Sequence, residues 1–489
     1  MCGMKFDFNH YLQKIGEIGF VERVVSSLIY TDGLPGAKPD ELVVAESGDL
    51  GVVTALRDSG LEILSLSKNP IRVGMRLART DRVIEVPVGK GLLGKIINPL
   101  GHSLDPSRPV PPLEESRPID TIPSGINVRS RIKRSCETGV AMVDFLVPLG
   151  KGQRELIIGD QKTGKTRFLL RALLAQVKEG AVGIYAMIGK GQMTIKEIER
   201  FLEEMRILDK VILVVSSADD PAGVIYLTPY AAMAIAEYFR DLGRDVLLVL
   251  DDLTVHAKIY REIALLGRRY PGRNSYPGDI FYTHARLLER AGNFVTPRGE
   301  SSITCLPVVE ALQGDLTGYI QTNTMSMTDG HILFDRLLFA EGRRPAVDPF
   351  LSVTRVGFQT QSALKLEIGR TLLAFLRSVE KLHNFTSFGS ELGEHIKRAL
   401  HKEERILKFF DQTVYDHLPS SLQLFLFGMV WSERWVDNTP QEIGRQIQKI
   451  IYSYQTRPEI QRNVGLAVSD VKTIAGLLER VKIADALKL

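Results

Sequence analysis

The stretch ELIIGDQKTGKTRFLLRALLAQ, residues 155–176, decides the fold class of this 489-residue chain. Its centre, residues 159–166, fits the pattern G-x-x-x-x-G-K-[ST] without a gap. An apolar strand precedes the pattern and an amphipathic helix follows it, which is the context of a phosphate-binding loop. Its glycines let successive backbone N–H groups turn inward toward phosphate oxygens. The alternative is a glycine-rich strand-to-helix turn without a ligand, and both flanks favour the phosphate site.

The loop and one later strand predict a nucleotide site with a metal ion. Lys165 is expected to reach the β and γ phosphates, and the Thr166 hydroxyl to ligate Mg²⁺. The apolar run DVLLVLDD predicts a buried strand that ends at Asp251, at the edge where ligands of open α/β sheets bind. Asp251 is expected to hold Mg²⁺ through water. The loop residues predicted to contact the nucleotide are Gly159, Asp160, Gln161, Lys162, Thr163, Gly164, Lys165 and Thr166.

A carboxylate that could act as a catalytic base is missing where it is expected. Hydrolysis needs a group that orients and polarises the attacking water, usually a carboxylate near the γ phosphate. The strand after the first helix ends in Gly189-Lys190-Gly191, and an ammonium group accepts that proton only if its pKa is strongly lowered. Glu197 and Glu199 are expected on the next helix, facing solvent. Lys190 is interpreted either as part of the site or as a surface lysine at a strand end.

Periodicity divides the chain into three parts. Residues from about 17 to 86 form short runs with period-two alternation, which predict a small barrel. The predicted strands are 20–25, 41–45, 51–56, 61–67 and 82–88. From about 150 to 350, apolar runs alternate with helical stretches, as in a parallel sheet covered by helices. From about 363 onward, apolar residues recur every three or four positions. We predict a multidomain α+β chain with a β-barrel domain (1–87), a P-loop α/β nucleotide-binding domain (88–362) and a helical domain (363–489).

Composition limits the kinds of partner and the cellular compartment that we expect for this chain. The 62 basic and 58 acidic residues nearly balance, which argues against nucleic acid as the main partner. The basic run at 129–135 is more typical of a solvated loop or a phosphate-facing rim. Cys2, Cys136 and Cys305 have neither metal nor disulfide spacing, which favours a reducing compartment. The longest apolar run, 422–431, is too short to span a bilayer, and the N-terminus lacks signal-peptide and transit-peptide features.

Several stretches together resemble the alpha subunits of F-type ATP synthases over nearly the whole chain. The resemblance implies a barrel, a RecA-like P-loop domain and a helical bundle, with ATP or ADP and Mg²⁺ as cofactors. It also implies a ring of six with alternating catalytic beta subunits, a central rotor shaft, a peripheral stalk and only indirect contact with a membrane. The stretches are EVPVGKGLLGKIINPLG (85–101), VPLGKGQRELIIGDQKTGKT (147–166), YPGDIFYTHARLLERAG (276–292), TNTMSMTDGHI (322–332), LSVTRVG (351–357) and FGSELGEHIKRAL (388–400).

Two positions depart from the pattern of that family. Its beta subunits carry Gly-Glu after the second strand, where the Glu is the base, and its alpha subunits carry Gly-Gln. Gly189-Lys190 matches neither pair but lacks the carboxylate, as alpha subunits do. The alpha loop usually reads Gly-Asp-Arg-Gln-Thr-Gly-Lys-Thr, and here Gln161 and Lys162 replace Arg-Gln. Lys162 is a candidate to supply the positive charge of the missing arginine.

The resemblance assigns further roles residue by residue. The stretch SVTRVG places the arginine finger of the family at Arg355, where the alternative is a buried arginine paired with a carboxylate. An arginine finger that reaches into a neighbour's catalytic site raises the rate there by about 10³- to 10⁵-fold. Phe339, Arg344 and Gln412 are implied to contact the adenine, although the stretch around Gln412 aligns poorly. The loop at 384–395 is implied to contact the shaft, and its alternative is a capped helix turn.

The leading hypothesis is an alpha subunit of a rotary proton- or sodium-translocating ATP synthase. It would bind Mg·ATP without hydrolysing it and lend Arg355 to the beta subunit. The alternative is a self-sufficient hexameric ring ATPase, a secretion motor or an RNA-translocating helicase, which would need Glu in place of Lys190. A scaffold that binds no nucleotide is disfavoured by Lys165, Thr166 and Asp251. The expected location is the cytoplasmic side of the plasma membrane, or an inner or thylakoid membrane if the chain is organelle-encoded.

Overall fold

A computed structural model describes residues 6–486 except Ser59, Pro70, Glu114, 387–392 and 433–434. The chain divides into two compact units. The first unit takes in the residues up to 131 together with 180–310 and 316–328. The second unit takes in 132–179, 311–315 and the residues from 329 onward. Each unit is interrupted in sequence by the other, which the periodicity of the sequence does not reveal.

The first unit begins with a closed six-stranded barrel. Its neighbouring strands are antiparallel, in the order β1-β2-β5-β4-β3-β6. The barrel core is aliphatic, with Ile29, Val43, Val53 and Ile63 almost completely buried. The predicted barrel is therefore confirmed, although β2 was not among the predicted strands and only the last two residues of β6 fall in one of them. The elements are α1 (Phe8–Ile15), β1 (Gly19–Val25), β2 (Leu28–Gly33), β3 (Glu41–Ala45), β4 (Leu50–Arg57), β5 (Gly60–Ser65) and β6 (Arg76–Val83).

Strands and helices alternate after the barrel, as the sequence predicts. The strands are β7 (Glu85–Val88), β8 (Ile96–Ile97), β9 (Glu115–Pro118), β10 (Ser135–Cys136), β11 (Leu149–Gly150), β12 (Leu156–Gly159), β13 (Val182–Lys190), β14 (Val211–Ser217), β15 (Val246–Asp251), β16 (Gly292–Thr296), β17 (Gly299–Glu310), β18 (Gly330–Phe334) and β19 (Val353–Thr354). The helices are α2 (Ala141–Leu146), α3 (Lys165–Lys178), α4 (Gln192–Glu204), α5 (Ala222–Asp241), α6 (Leu253–Leu266), α7 (Ile280–Leu288), α8 (Tyr319–Met327) and α9 (Arg336–Ala340).

One predicted strand, residues 82–88, is divided in the structure. β6 ends at Val83 and β7 begins at Glu85. β6 pairs with β1 and β3 in the barrel, whereas β7 pairs with β9. Each half thus has its own partner strand, which alternation along a single run does not indicate.

The first unit also contains a parallel sheet in the order β17-β15-β13-β14-β8, with β16 antiparallel to β17. All residues of β14 and β15 are buried, and both strands read as nearly continuous apolar runs, as a sheet covered on both faces requires. α5 contacts β13, β14 and β15. Met187 of β13 lies opposite Asp251 of β15, so the carboxyl ends of the two strands meet at one edge.

The second unit joins a small sheet to the helical region. β12 pairs in parallel with β18, and β19 pairs antiparallel with β18. Among the described residues, no helix has both the length and the apolarity to cross a membrane. The fold class is confirmed, and the boundaries after residues 87 and 362 stay predictions. The C-terminal helices are α10 (Ala363–Thr386), α11 (Glu394–Phe410), α12 (Ser420–Trp431), α13 (Pro440–Thr456), α14 (Pro458–Val468) and α15 (Ile474–Ala486).

A buried ion pair braces the first unit. Arg290, whose side chain is completely buried, donates from Nε to Oε1 of Glu237 at 3.0 Å and from Nη2 to Oε2 at 2.7 Å. Its Nη1 donates to the carbonyl oxygen of Ile119 at 2.7 Å. Removing one partner of such a pair leaves an uncompensated buried charge, which costs far more than losing an exposed pair.

We predict that Arg290→Leu lowers the free energy of unfolding of the chain by about 3–5 kcal/mol. Arg200→Leu is the matched control, because Arg200 pairs with Glu204 on the exposed surface of α4 and contributes about 1 kcal/mol or less. Urea unfolding followed by circular dichroism measures both. Equal losses in the two variants would contradict a bracing role for Arg290.

Candidate functional site

The phosphate loop connects β12 to α3 in the second unit. Gly159 has φ of +154°, and a Cβ atom there would lie 2.3 Å from the carbonyl oxygen of Phe334, so only glycine fits. Gly164, with φ of +96°, is the N-cap residue of α3. Because the first N–H groups of a helix have no partner within it, the N-terminus of α3 is suited to an anion. The strand, the turn and the helix lie where the sequence predicts them.

The Lys165 side chain folds back on this loop. Its Nζ donates to the carbonyl oxygens of Gly159 at 2.8 Å and Asp160 at 2.5 Å. The Thr163 hydroxyl donates to the same Asp160 oxygen at 2.7 Å. The loop therefore encloses a cation at the helix N-terminus, where phosphate oxygens would compete with two carbonyls for its N–H groups. Three further loop residues are exposed: Gln161, Lys162 and Thr166.

The structure brings Phe339 and Arg344 together beside this loop. The Phe339 ring reaches within 3.9 Å of the position that a Cβ of Gly164 would take. The Arg344 guanidinium lies over the Phe339 ring, 3.5 Å from its centroid, and Nη1 donates to the carbonyl oxygen of Phe339 at 2.9 Å. The sequence predicts that both side chains lie against a purine. In the structure, Arg344 covers one face of the ring itself.

The backbone of Gln412 is hydrogen-bonded to the backbone of Arg344. Its N–H donates to the Arg344 carbonyl at 2.9 Å. Its side-chain Oε1 accepts from the N–H of Ala141, the first residue of α2, at 3.1 Å. Its Nε2 is buried and has no hydrogen-bond partner. An unpartnered buried amide is costly, so this nitrogen is the atom of Gln412 that a ligand acceptor would satisfy.

Arg355 is exposed and directly follows β19. Its backbone N–H donates to the carbonyl oxygen of Asp329 at 2.9 Å. The hydroxyl of the preceding Thr354 donates to the Pro148 carbonyl at 3.0 Å and accepts from the Gln153 amide at 3.1 Å. These bonds fix the backbone that carries Arg355. An exposed side chain on a fixed backbone differs from the buried arginine that was the alternative interpretation of the sequence.

A buried carboxyl group, Glu155, belongs to the same network. Its Oε2 accepts from the Gln153 Nε2 at 2.6 Å, and its Oε1 has no hydrogen-bond partner. Burial raises the pKa of Glu155 well above its usual value, and the nearby Asp329 charge raises it further. The Gln153 hydrogen bond and the Arg355 charge oppose this shift without cancelling it. Folding therefore favours the neutral form of this acid.

In the first unit, Asp251 ends β15 as predicted, and both of its carboxylate oxygens have partners. The Tyr185 hydroxyl donates to Oδ2 at 2.8 Å, and the Lys190 Nζ lies 2.7 Å from Oδ1. Lys190 also donates to Oδ2 of Asp252 at 3.3 Å. The other oxygen of Asp252 caps α6 by accepting from the Val255 N–H at 2.8 Å. One cation thus bridges two buried carboxylates.

Lys190 is part of this acidic edge and is not a solvated surface lysine. Burial by itself lowers the pKa of Lys190, but the charges of Asp251 and Asp252 outweigh it, so the pKa lies above the usual lysine value. Burial also raises the pKa of Asp252, against the Lys190 charge. Glu197 is exposed on α4, and Glu199, on the same helix, pairs with Arg108 at 3.6 Å. The carboxylate base that the sequence lacks is therefore not supplied at the end of β13 in the described structure.

The described residues fit a nucleotide better than a directly bound metal ion. The loop supplies backbone N–H groups and an ammonium, and Gln412 supplies an unpartnered amide nitrogen. Asp251 does not fit as a direct ligand of Mg²⁺, because an ammonium group lies against one oxygen and a phenol hydroxyl against the other. The predicted contact of Asp251 with Mg²⁺ through water stays a prediction.

Three residues of these clusters were absent from the predicted site: Tyr185, Asp252 and Glu155. Two of them left a signal in the sequence. A tyrosine inside a buried apolar strand needs a partner for its hydroxyl. An Asp directly before a helical run is a preferred N-cap residue. Glu155 left no such signal, because one acid at the start of a strand is indistinguishable from a solvated one.

Comparison with known proteins agrees with this geometry. Residues 139–354 match the family model described as "ATP synthase alpha/beta family, nucleotide-binding domain". A protein of Aquifex aeolicus named "ATP synthase subunit alpha" is 36% identical over 477 residues, which cover 97% of this chain and 93% of that protein. Proteins of the same name from Lactobacillus helveticus and Lactobacillus delbrueckii subsp. bulgaricus are 37% and 34% identical, cover 97% and 99% of this chain, and are themselves each covered to 96%.

We predict that Glu155→Gln stabilises the chain at alkaline pH more than at acid pH. Since the pKa of Glu155 is raised on folding, its contribution to stability is complete below the pKa of an unfolded Glu and is lost as pH rises through the folded value. Glutamine keeps the acceptor for Gln153 and does not titrate. The expected difference in melting temperature between variant and wild type therefore grows between about pH 5 and about pH 8.

Thermal unfolding at the two pH values measures this difference. Glu197→Gln is the control, because Glu197 is exposed and its variant is expected to show no such growth. A Glu155→Gln difference that is the same at both pH values would show that the carboxyl group is ionised in the folded chain.

Proposed function

The chain belongs to the family of ATP synthase alpha subunits, and from this membership we propose that it binds ATP or ADP without hydrolysing it and lends Arg355 to a neighbouring catalytic site. The neighbour would be a beta subunit, and the complex a rotary ATP synthase that translocates H⁺ or Na⁺. The chain by itself is then non-catalytic, although it belongs to an enzyme complex.

One observation carries the non-catalytic part of this proposal. Lys190 stands at the end of β13, where the resemblance places the base of a catalytic subunit, and its ammonium group contacts Asp251 and Asp252. A group that activates water must accept a proton. A lysine whose pKa is raised by two carboxylates has no lone pair to accept one.

The nucleotide-binding part rests on the phosphate loop. Backbone N–H groups of residues 159–166 and the Lys165 ammonium would hold the phosphates. The Phe339 ring, the Arg344 guanidinium and the Gln412 amide nitrogen would hold the adenine. Bound Mg²⁺ would neutralise phosphate charge, with the Thr166 hydroxyl as its protein ligand and Asp251 in contact only through water.

Arg355 would act in trans. Its exposure leaves the guanidinium accessible to another subunit, while the bonds of Thr354 and the Arg355 N–H fix its backbone. A guanidinium carried on a fixed backbone would reach the neighbour's phosphoryl group from a defined position and stabilise the negative charge that develops on it. This fits a residue whose substrate is bound by a different chain.

The proposed assembly follows from the same membership. Beta subunits would alternate with this chain in a ring of six around a rotor shaft, with a peripheral stalk as a further partner and no nucleic acid. The segment proposed to contact the shaft, 384–395, lies largely outside the described residues. The complex would sit peripherally on the cytoplasmic side of the plasma membrane, or on an inner or thylakoid membrane if organelle-encoded.

The second candidate function, a self-sufficient ring ATPase, needs a base and a finger in one chain. Lys190 in contact with Asp251 disfavours it, and the family membership favours an alpha subunit. A scaffold that binds no nucleotide is disfavoured because residues 159–166 fit the phosphate-loop pattern between β12 and α3 and Lys165 opens that helix.

We predict that the purified chain binds ATP and leaves it intact. Lys165→Ala is expected to weaken equilibrium binding of a fluorescent ATP analogue about 10- to 100-fold, because it removes a charge-assisted hydrogen bond to phosphate. Lys196→Ala, an exposed lysine on α4, is the control and is expected to bind as wild type does. Steady-state hydrolysis well above background would favour the self-sufficient motor instead.

We predict that Arg355→Ala lowers kcat of the assembled complex about 10³- to 10⁵-fold. The affinity of the variant chain for its own nucleotide is expected to stay unchanged, since the finger would serve the neighbour's site. Arg200→Ala, which also removes an exposed arginine, serves as the control. Full turnover in complexes that carry Arg355→Ala would show that Arg355 is not an arginine finger.

A further inference from the structure

The amide of Gln153 joins two strands of the small sheet in the second unit. Its Nε2 donates to Oε2 of Glu155, directly before β12, at 2.6 Å and to the hydroxyl oxygen of Thr354 in β19 at 3.1 Å. Its Oε1 accepts from the Gly150 N–H at 2.8 Å. A glutamine side chain has two N–H donors, and both are used here. Because Gln153 is completely buried, these bonds hold its amide in one orientation.

β18 lies between those two strands and carries a glycine at the level of the bridge. Gly330 of β18 pairs with Thr354 of β19, and β18 runs parallel to β12 on its other side. A Cβ atom at Gly330 would lie 2.7 Å from Oε2 of Glu155 and 2.8 Å from Oε1. The Glu155 carboxyl thus fills the space beside Gly330, where the Gln153 amide reaches it. The bridge from β12 to β19 therefore depends on a residue without a side chain in the strand between them.

The Thr354 hydroxyl carries this constraint to the backbone on both sides of Arg355. It accepts from Gln153 and, at 3.0 Å, from the N–H of Gly357, and it donates to the Pro148 carbonyl at 3.0 Å. A Cβ atom at Gly357 would clash with that same carbonyl oxygen, so the backbone after Arg355 packs directly against Pro148. One hydroxyl group thus holds the residue before Arg355 and the second residue after it.

The place from which the Arg355 guanidinium would reach another subunit depends on this backbone. Arg355 itself is exposed, and its N–H donates to the Asp329 carbonyl at 2.9 Å. A misplacement of about 1 Å in a group that serves a reacting centre can lower the rate about 100-fold. Losing the Gln153 bridge would leave the charge of Arg355 intact and would alter only where that charge is presented.

We propose that Gln153 is a positioning residue for the arginine finger: its amide ties Thr354, and with it the backbone of Arg355, to the start of β12. The inference rests on the proposed role of Arg355 and adds the residue that sets its position. Because Gln153 is completely buried, it reaches no other subunit, and its contribution to turnover is made through Arg355.

The competing explanation is a buried amide that only stabilises the second unit. Replacing such an amide would change turnover to the same extent whether or not Arg355 is present. A double-mutant cycle separates the two explanations, because residues that act through one group are coupled and independent residues are not. The loss caused by replacing Gln153 should vanish once Arg355 has been replaced.

The experiment measures kcat and KM for ATP hydrolysis by assembled complexes that carry the variant chain. Gln153→Met keeps a similar volume and removes the three hydrogen bonds, so we expect kcat to fall about 10- to 100-fold with KM unchanged within about threefold. In the Arg355→Ala background we expect the same change to lower kcat by less than about twofold. Gln423→Met is the matched control and is expected to keep kcat, because Gln423 is also completely buried and bonds to Asp144 and the Leu418 carbonyl.

Thr354 gives a second and independent pair of variants. Thr354→Val keeps the branched shape and removes the hydroxyl, and it is expected to lower kcat as Gln153→Met does, again only when Arg355 is present. Thr354→Ser keeps the hydroxyl and is expected to keep kcat close to the wild-type value. This pair decides the question if the Gln153→Met chain does not assemble.

An unchanged kcat in Gln153→Met and Thr354→Val, or the same proportional loss with and without Arg355, would overturn the inference while the finger stands. An equal loss in Gln423→Met would also overturn it, because a general loss of stability would then be sufficient. Full turnover with Arg355→Ala would instead overturn the proposed function.

Discussion

The parallel register of β13 and β15 is the constraint on which the acidic edge depends. Met187 lies opposite Asp251, the last residue of β15, and β13 continues three residues further to Lys190, whose ammonium contacts the carboxylate. Desolvating an unpaired carboxylate costs several kcal/mol. The chain offsets that cost with Tyr185 from within β13 and Lys190 from its end. A one-residue shift between the strands would move the Asp251 carboxylate away from both side chains of β13.

The second unit solves a similar problem by different means. Glu155 is buried, one of its oxygens has no hydrogen-bond partner, and its raised pKa means that folding favours the protonated form of the group. The same network of Gln153 and Thr354 fixes the backbone that carries Arg355. The backbone at Arg355 is therefore held by part-buried hydrogen bonds, while the residue itself is exposed.

Local sequence patterns were sufficient to predict most helices and strands, but not to predict which side chains contact one another. The loop at 159–166, the strand that ends at Asp251 and the C-terminal helices were predictable, because each has a periodicity or a spacing of its own. The β2 strand was missed because its run is buried almost throughout and shows no alternation. The stacking of Arg344 on Phe339 and the contact of Lys190 with Asp251 depend on residues brought together by tertiary structure. A single sequence holds no record of such contacts unless a motif encodes them.

The residue at position 190 determines both the net charge of this buried edge and whether a proton acceptor stands there. A glutamate there would place three carboxylates at one buried edge, beside Asp251 and Asp252, and their mutual repulsion would favour a bound cation or raise their pKa values. A charged lysine at the same position cannot accept a proton, and it brings a cation to the two carboxylates from within the chain. A neutral amide would also lack the carboxylate base, but it would leave the charges of Asp251 and Asp252 without that cation. The lysine at position 190 therefore has two effects that an amide would separate: it removes a proton acceptor, and it balances buried negative charge.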